Sequence, residues 1–174
     1  LGNTSGYYNT EGSANTFLGS GTGYRNSTGG RNVIVGYRAG SFTSTGNDNT
    51  IIGNQAGYRL ASGSGNVFLG SQAGYHAKES ENKLYIDNSA TNKPLIYGDF
   101  SKNELTVNGA LGIGTGTTTP QGNLHVSSGT DGDAILRLEA DSDNNKESDN
   151  PMIQIRQDAG TVGVNMGFSE ENFG

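Results

Sequence analysis

The sequence predicts an all-β fold whose first half is a parallel β-roll, and three observations predict it. Glycine recurs every seventeen residues, at Gly2, Gly19, Gly36, Gly53 and Gly70 and again at Gly6, Gly23, Gly40, Gly57 and Gly74. An apolar doublet keeps the same period at Phe17-Leu18, Ile34-Val35, Ile51-Ile52 and Phe68-Leu69. Asparagine opens each unit at Asn15, Asn32, Asn49 and Asn66, with Asn82 one residue early. A register of this kind marks a repeat architecture in which each unit stacks on its neighbours.

Within a unit, the apolar run is three or four residues and β-branched, as in Val33-Ile34-Val35. That is too short for a helix and reads as a short strand. Glycine at this density would cost roughly 1 kcal/mol each in helix interiors, which excludes a helical solenoid. A second extended piece, such as Gln55-Ala56-Gly57-Tyr58, follows each glycine turn and completes one coil. A third glycine column, Gly12, Gly29, Gly46 and Gly63, supplies another corner. Stacking sets equivalent residues about 4.8 Å apart, so the asparagines form a row of amides able to hydrogen-bond along the stack.

Side chains alternate along each strand. Thr16, Leu18, Val33, Val35, Thr50, Ile52, Val67 and Leu69 share one face, and Phe17, Ile34, Ile51 and Phe68 share the other. One face fills the coil, and the second leaves an apolar stripe that soluble monomers rarely expose. We expect the Phe17/Ile34/Ile51/Phe68 column to be that stripe and to join copies of the chain into a homo-oligomer.

Beyond the roll, residues 87–126 read as a β neck, entered from a strand at Lys83–Ile86. Leu95–Tyr97 is its partner behind Pro94, where a missing N–H does least harm. Glu104–Val107 enters Asn108-Gly109, a hairpin signal, and Leu111–Ile113 and Leu124–Val126 flank a Gly/Thr/Pro connector. Residues 127–174 read as an incomplete antiparallel domain, with strands at Asp133–Glu139, Met152–Arg156 and Thr161–Phe168.

Composition limits the function classes. With 29 glycines and 31% hydrophobic residues the chain could pass for disordered, but disordered tracts do not hold apolar doublets in phase. There is no cysteine, hence neither disulfide nor thiolate metal site. No apolar run approaches the roughly 20 residues of a membrane-spanning helix, and membrane insertion is not expected. The net charge of −6 is uneven, +1 over residues 1–130 and −7 over 131–174. A nucleic-acid backbone needs a basic stripe, and none is seen. No nucleophile–base pair or carboxylate cluster marks the repeats, so an enzyme is not expected.

Two candidate sites remain. Asp141, Asp143 and Asn145 stand at the first, third and fifth positions of a calcium loop. Lys146 at the sixth and Met152 at the twelfth rule out an EF-hand, so a solvated loop is expected and a looser calcium site is the alternative. Tyr7, Tyr24, Tyr58 and Tyr75 form a column at a coil corner, followed by Arg25, Arg59 and His76. Tyrosines so placed commonly cap a turn. On a rigid ladder, Tyr24, Arg25, Tyr58, Arg59 and Tyr75 could instead stack on and bond a surface glycan. No other cofactor is indicated.

The pattern Asn-x-φ-φ-Gly-x-x-Ala-Gly, as in Asn49-Thr50-Ile51-Ile52-Gly53-Asn54-Gln55-Ala56-Gly57, resembles the head repeats of trimeric autotransporter adhesins of the YadA type. The likeness covers residues 1–86, although these units are longer and carry an added Gly-Tyr at Gly23-Tyr24, Gly57-Tyr58 and Gly74-Tyr75. It implies a left-handed β-roll and a homotrimer. Asn82–Asp87, Pro94–Asp99 and Leu111–Thr115 followed by Thr119-Pro120 are similar to the connector region of phage tail fibres, with a connector two residues longer than usual. The joint resemblance implies an extracellular fibre segment, on a virion tail or, alternatively, as the head of a bacterial surface adhesin. Its expected partner is a cell-surface glycan or protein receptor.

Overall fold

The structure is a computed structural model and describes residues 1–129 and 132–136. Among these residues there are nine strands and no helix. They are β1 (Thr16–Leu18), β2 (Val33–Val35), β3 (Thr50–Ile52), β4 (Val67–Leu69), β5 (Lys83–Ile86), β6 (Ile96–Asp99), β7 (Glu104–Val107), β8 (Leu111–Ile113) and β9 (Leu124–Val126). The first seven form one sheet in chain order. Strands β1 to β5 pair in parallel with a seventeen-residue register, Phe17 to Ile34 to Ile51 to Phe68 to Tyr85. The fold is a parallel β-solenoid.

Each coil is held from inside by a large side chain at the middle of its strand, and the coil of Ile51 adds a second, the fully buried Leu60. Ile34, Ile51 and Phe68 are fully buried, and Phe17 packs against them. Opposite stand Ala39, Ala56 and Ala73, also fully buried, and the glycines that follow them. A Cβ on Gly23 would lie 2.7 Å from the Phe17 ring, on Gly40 2.8 Å from Ile34, and on Gly74 2.7 Å from Phe68. The interior is therefore one side chain deep. The position before the glycine holds a small residue in every repeat, Ser5, Thr22, Ala39, Ala56 or Ala73, and the glycine itself has no room for a Cβ beside the apolar residue across the coil.

This corrects the expected trimer-interface column. Phe17, Ile34, Ile51 and Phe68 point into the coil of their own chain and cannot meet another copy. The outer face carries Thr16, Leu18, Val33, Val35, Thr50, Ile52, Val67 and Leu69, with Ile52 41% exposed beside a fully buried Ile51. Both faces of the doublet are apolar, so hydropathy could not order them. The space across the coil does.

The asparagine row bonds as expected. Asn15 Oδ1 accepts from the backbone N–H and side-chain amide of Asn32 (2.9 and 3.1 Å), and Asn32 Oδ1 does the same for Asn49 (3.0 and 3.0 Å). Asn49 Oδ1 accepts both donors of Asn66 (3.0 and 2.9 Å). Each amide also donates inward, Asn32 to the Gly46 carbonyl and Asn49 to the Gly63 carbonyl. The row ends at Lys83, whose backbone N–H binds Asn66 Oδ1 at 3.0 Å. Asn82 is thus no early member of the row. It occupies a left-handed corner (φ 55°) shared with Ala14, Arg31, Asp48 and Gly65.

Two further glycine columns are set by close backbone approach. A Cβ on Gly19 would sit 2.6 Å from the Gly36 carbonyl oxygen, and Gly36, Gly53 and Gly70 face the next coil in the same way. Gly12, Gly29, Gly46 and Gly63 meet carbonyls at another corner without needing positive φ.

The stack is closed by a hairpin. β5 pairs antiparallel with β6, and β6 with β7. Tyr85 packs edge-on against Phe68 (5.1 Å) and Tyr97 against Tyr85 (5.4 Å), so rings continue the inner column beyond the last coil. β6 runs to Asp99 rather than ending at Tyr97 because Lys83 pairs with Asp99 across the strands, Nζ to carboxylate 2.9 Å. Asn108-Gly109 makes no hairpin. Asn108 instead donates its backbone N–H to Leu95 and its amide to Pro94, 2.9 and 2.7 Å, clasping the open end of β6–β7. β8 turns away and pairs in parallel with β9, thirteen residues on, from Leu111↔Leu124 to Ile113↔Val126.

The chain divides into two compact units, Leu1–Ser127 and Ser128–Gly174. The first takes in both the roll and the expected neck, since the seven-stranded sheet crosses position 86 without a break. Of the expected strand Asp133–Glu139, residues 133–136 are described and are not in a strand, with Ile135 and Leu136 exposed. The expected strands Met152–Arg156 and Thr161–Phe168 lie outside the described residues.

Candidate functional site

The corner after each inward-facing glycine carries the aromatic column. Gly6, Gly23, Gly40, Gly57 and Gly74 all have φ between 52° and 63°, which turns the chain and throws the next residue outward. Coil-to-coil bonds then fix the corner, Tyr8 N–H to Tyr24 carbonyl (3.0 Å), Arg25 to Ser41 (3.0 Å), Phe42 to Tyr58 (3.2 Å) and Arg59 to Tyr75 (3.3 Å).

Tyr7 stacks on Tyr24 with centroids 5.6 Å apart and planes at 16°, and Tyr58 on Tyr75 at 5.1 Å and 9°. Between the two stacks the column is broken by Ser41, which is buried. Phe42, one residue later, supplies the missing ring, edge-on to Tyr58 at 5.0 Å. The Arg25 guanidinium lies over Phe42 at 4.4 Å and that of Arg59 near the Tyr75 ring at 5.6 Å. The result is an open groove of about 1050 Å³, to which Tyr8 and Lys78 also contribute. All five residues singled out in the sequence, Tyr24, Arg25, Tyr58, Arg59 and Tyr75, line it.

Three residues escaped sequence reasoning. Phe42 is out of register by one position, Tyr8 precedes the arginines in its column, and Lys78 shares a column with Ser27, Ser44 and Ala61. The signal for Phe42 was present in the absence of tyrosine at position 41.

The groove is cationic. No Asp or Glu lines it. Among the described residues the ion pairs are Arg31–Asp48, Lys83–Asp99 and Lys102–Asp99, so Arg25, Arg59 and Lys78 have no carboxylate partner there. The Tyr24 phenol shares a hydrogen bond with Tyr8, which pushes its pKa up.

Asp141, Asp143 and Asn145 lie outside the described residues. No group of three or more His, Asp or Glu able to hold a metal occurs among the described ones. His76 sits edge-on to Tyr75 at 4.9 Å, while His125 accepts a long bond (3.4 Å) from the Gln121 N–H in the β8–β9 connector. No described helix is long and apolar enough to cross a membrane.

The outer sheet face is the other surface of note. Leu18, Val35, Ile52, Leu69 and Ile86 form a column across β1 to β5, and the register carries it on through Ile96 and Val107. Comparison with protein families, curated proteins and solved structures gives no match for this chain.

Proposed function

We propose that this chain is a segment of a homotrimeric attachment fibre, of the kind borne by a phage or phage-like tail, acting outside the cell at a host surface. The β-solenoid is the stiff spacer, about 19 Å from β1 to β5 at 4.8 Å per coil. Three copies would present three identical grooves, and weak contacts to one surface would combine through avidity.

The observation that carries this reading is the outer apolar column from Leu18 to Ile86. It lies on a sheet whose inner side is already filled, so no other described part of the roll packs on it and a further copy of the chain has a place to sit. Coverage by two further copies fits the repeat, because each copy offers the same column at the same spacing. Light scattering on the purified segment is expected to give three times the chain mass. Ile52→Lys is expected to yield a single-chain mass with β-structure retained by circular dichroism, whereas a wild-type monomer would sink the proposal.

A further inference from the structure

We infer that the aromatic–arginine groove binds an acidic polysaccharide lying along the stack, with one negative charge per disaccharide. The inference rests on the attachment reading above and names the ligand class of that surface.

Three features of the groove select this class. The first is ring geometry. Tyr24, Phe42, Tyr58 and Tyr75 lie on successive coils, half-buried and held by backbone ladders and by ring stacking, which gives a sugar chain a fixed row of aromatic surface to lie along at little entropic cost. A protein side chain would need pockets of varied depth, and this groove is open and periodic.

The second is charge. Arg25 and Arg59 lack carboxylate partners among the described residues, Lys78 stands at the far end, and no acid lines the groove. The rings of Phe42 and Tyr75 hold the guanidinium groups of Arg25 and Arg59 in place but do not neutralise them, and a neutral glycan would not either. A carboxylate or sulfate ester would take the charge-assisted, bidentate bonds that guanidinium favours.

The third is spacing. Arg25 and Arg59 are thirty-four residues apart, which is two coils, or about 9.6 Å along the stack. That is close to the length of one extended disaccharide. The intervening coil carries Phe42 at the corresponding place, so cation and ring alternate as charged and uncharged sugars would.

The test is calorimetric titration of the intact segment with a hyaluronan hexasaccharide, which alternates a carboxylate sugar and a neutral one. A chitin hexasaccharide and a short polyglutamate serve as controls. Binding of the first, with the neutral chain and the polyglutamate each at least about tenfold weaker, is the expected result. Arg25→Gln and Arg59→Gln should each lower affinity by about tenfold, the loss of one charge-assisted pair, with the melting temperature unchanged. Tyr58→Ala should weaken binding by a similar factor. No hyaluronan binding, equal binding of polyglutamate, or insensitivity to the arginine changes would overturn the assignment. A trimer that fails to bind would leave the fibre reading standing, and a monomer that binds would do the reverse.

Discussion

Among the described residues the chain pairs strands in parallel in two places, and the two instances differ in one respect that matters. β1 to β5 and β8–β9 both follow a strand with a positive-φ glycine that abuts a carbonyl of the next coil, Gly36 against Gly53 in one case and Gly114 against Ser127 in the other. In the first, an apolar side chain fills the middle of every strand. In the second the middle position of β8 is Gly112, and Leu111, Ile113 and Leu124 are all exposed. The backbone device is the same, yet among the described residues only one instance has an interior. Turn geometry specifies where a coil closes, and the inward column makes closure cohesive within one chain.

The comparison is most easily broken at the inner column. Ile51→Ala or Phe68→Ala removes a fully buried large side chain from the core and should cost about 2–5 kcal/mol in urea unfolding. Ile113→Ala in the β8–β9 pair should be near neutral for the isolated chain. If both substitutions cost alike, β8–β9 has a core that the described residues do not reveal.

Next in size is the amide row. Asn49 gives and receives bonds to Asn32, Asn66 and the Gly63 carbonyl while 1% exposed. Asn49→Ala strands several buried groups and is expected to cost about 3 kcal/mol. β8–β9 has no such row, and its counterpart test is Gly114→Ala. With φ at 71° and the Ser127 carbonyl in the way, that change should open β8–β9 alone. Amide exchange at Ser127 and Leu111, which bond to Ile113 and Asn123, would rise while Val33 and Thr50 stay protected. Loss of protection throughout would mean that the two instances fold as one.

The smallest effect concerns the hairpin that closes the stack. Hydrogen bonds from Ser101, and then the Lys83 ammonium, hold the Asp99 carboxyl down at about 2. A depressed folded pKa means that the unfolded chain binds the proton more tightly. The contribution is complete above the ordinary carboxylate range and is lost as pH falls through about 2. Asp99→Asn should flatten the acid limb of a melting-temperature profile between roughly pH 4 and 2, and a limb identical to wild type would reject this role. Lys83, raised by the same pair, loses its share only as pH climbs through its elevated value.

Much of this was legible in the residues. The period, the strand positions β1 to β5 and the amide row follow from chemistry repeated at fixed spacing. What escaped was decided by shape across the coil or by competition for the same group. Hydropathy could not say whether Ile51 or Ile52 faces inward, because the answer lies in the size of Ala56 and Gly57 opposite. Asn108-Gly109 looked like a turn, but Asn108 is better used binding the carbonyls of Pro94 and Leu95. Two left-handed corners were invisible because residues as unlike as Arg38, Gln55 and Gln72 occupy one of them. The groove was half legible, its arginines and tyrosines being in phase and its phenylalanine not.

The glycine columns carry one more consequence. Two of the three collide, were they to gain a methyl, with the coil that comes after and never with the one before. One column runs from Gly2 to Gly70 and then reads Asp87, and the other runs from Gly12 to Gly63 and then reads Ser80. Those are the places where no further coil follows. The chain thus marks in its sequence where the stack ends, and a gene that duplicated a seventeen-residue unit upstream of these two stop marks would extend the rod by one step with every joint unchanged.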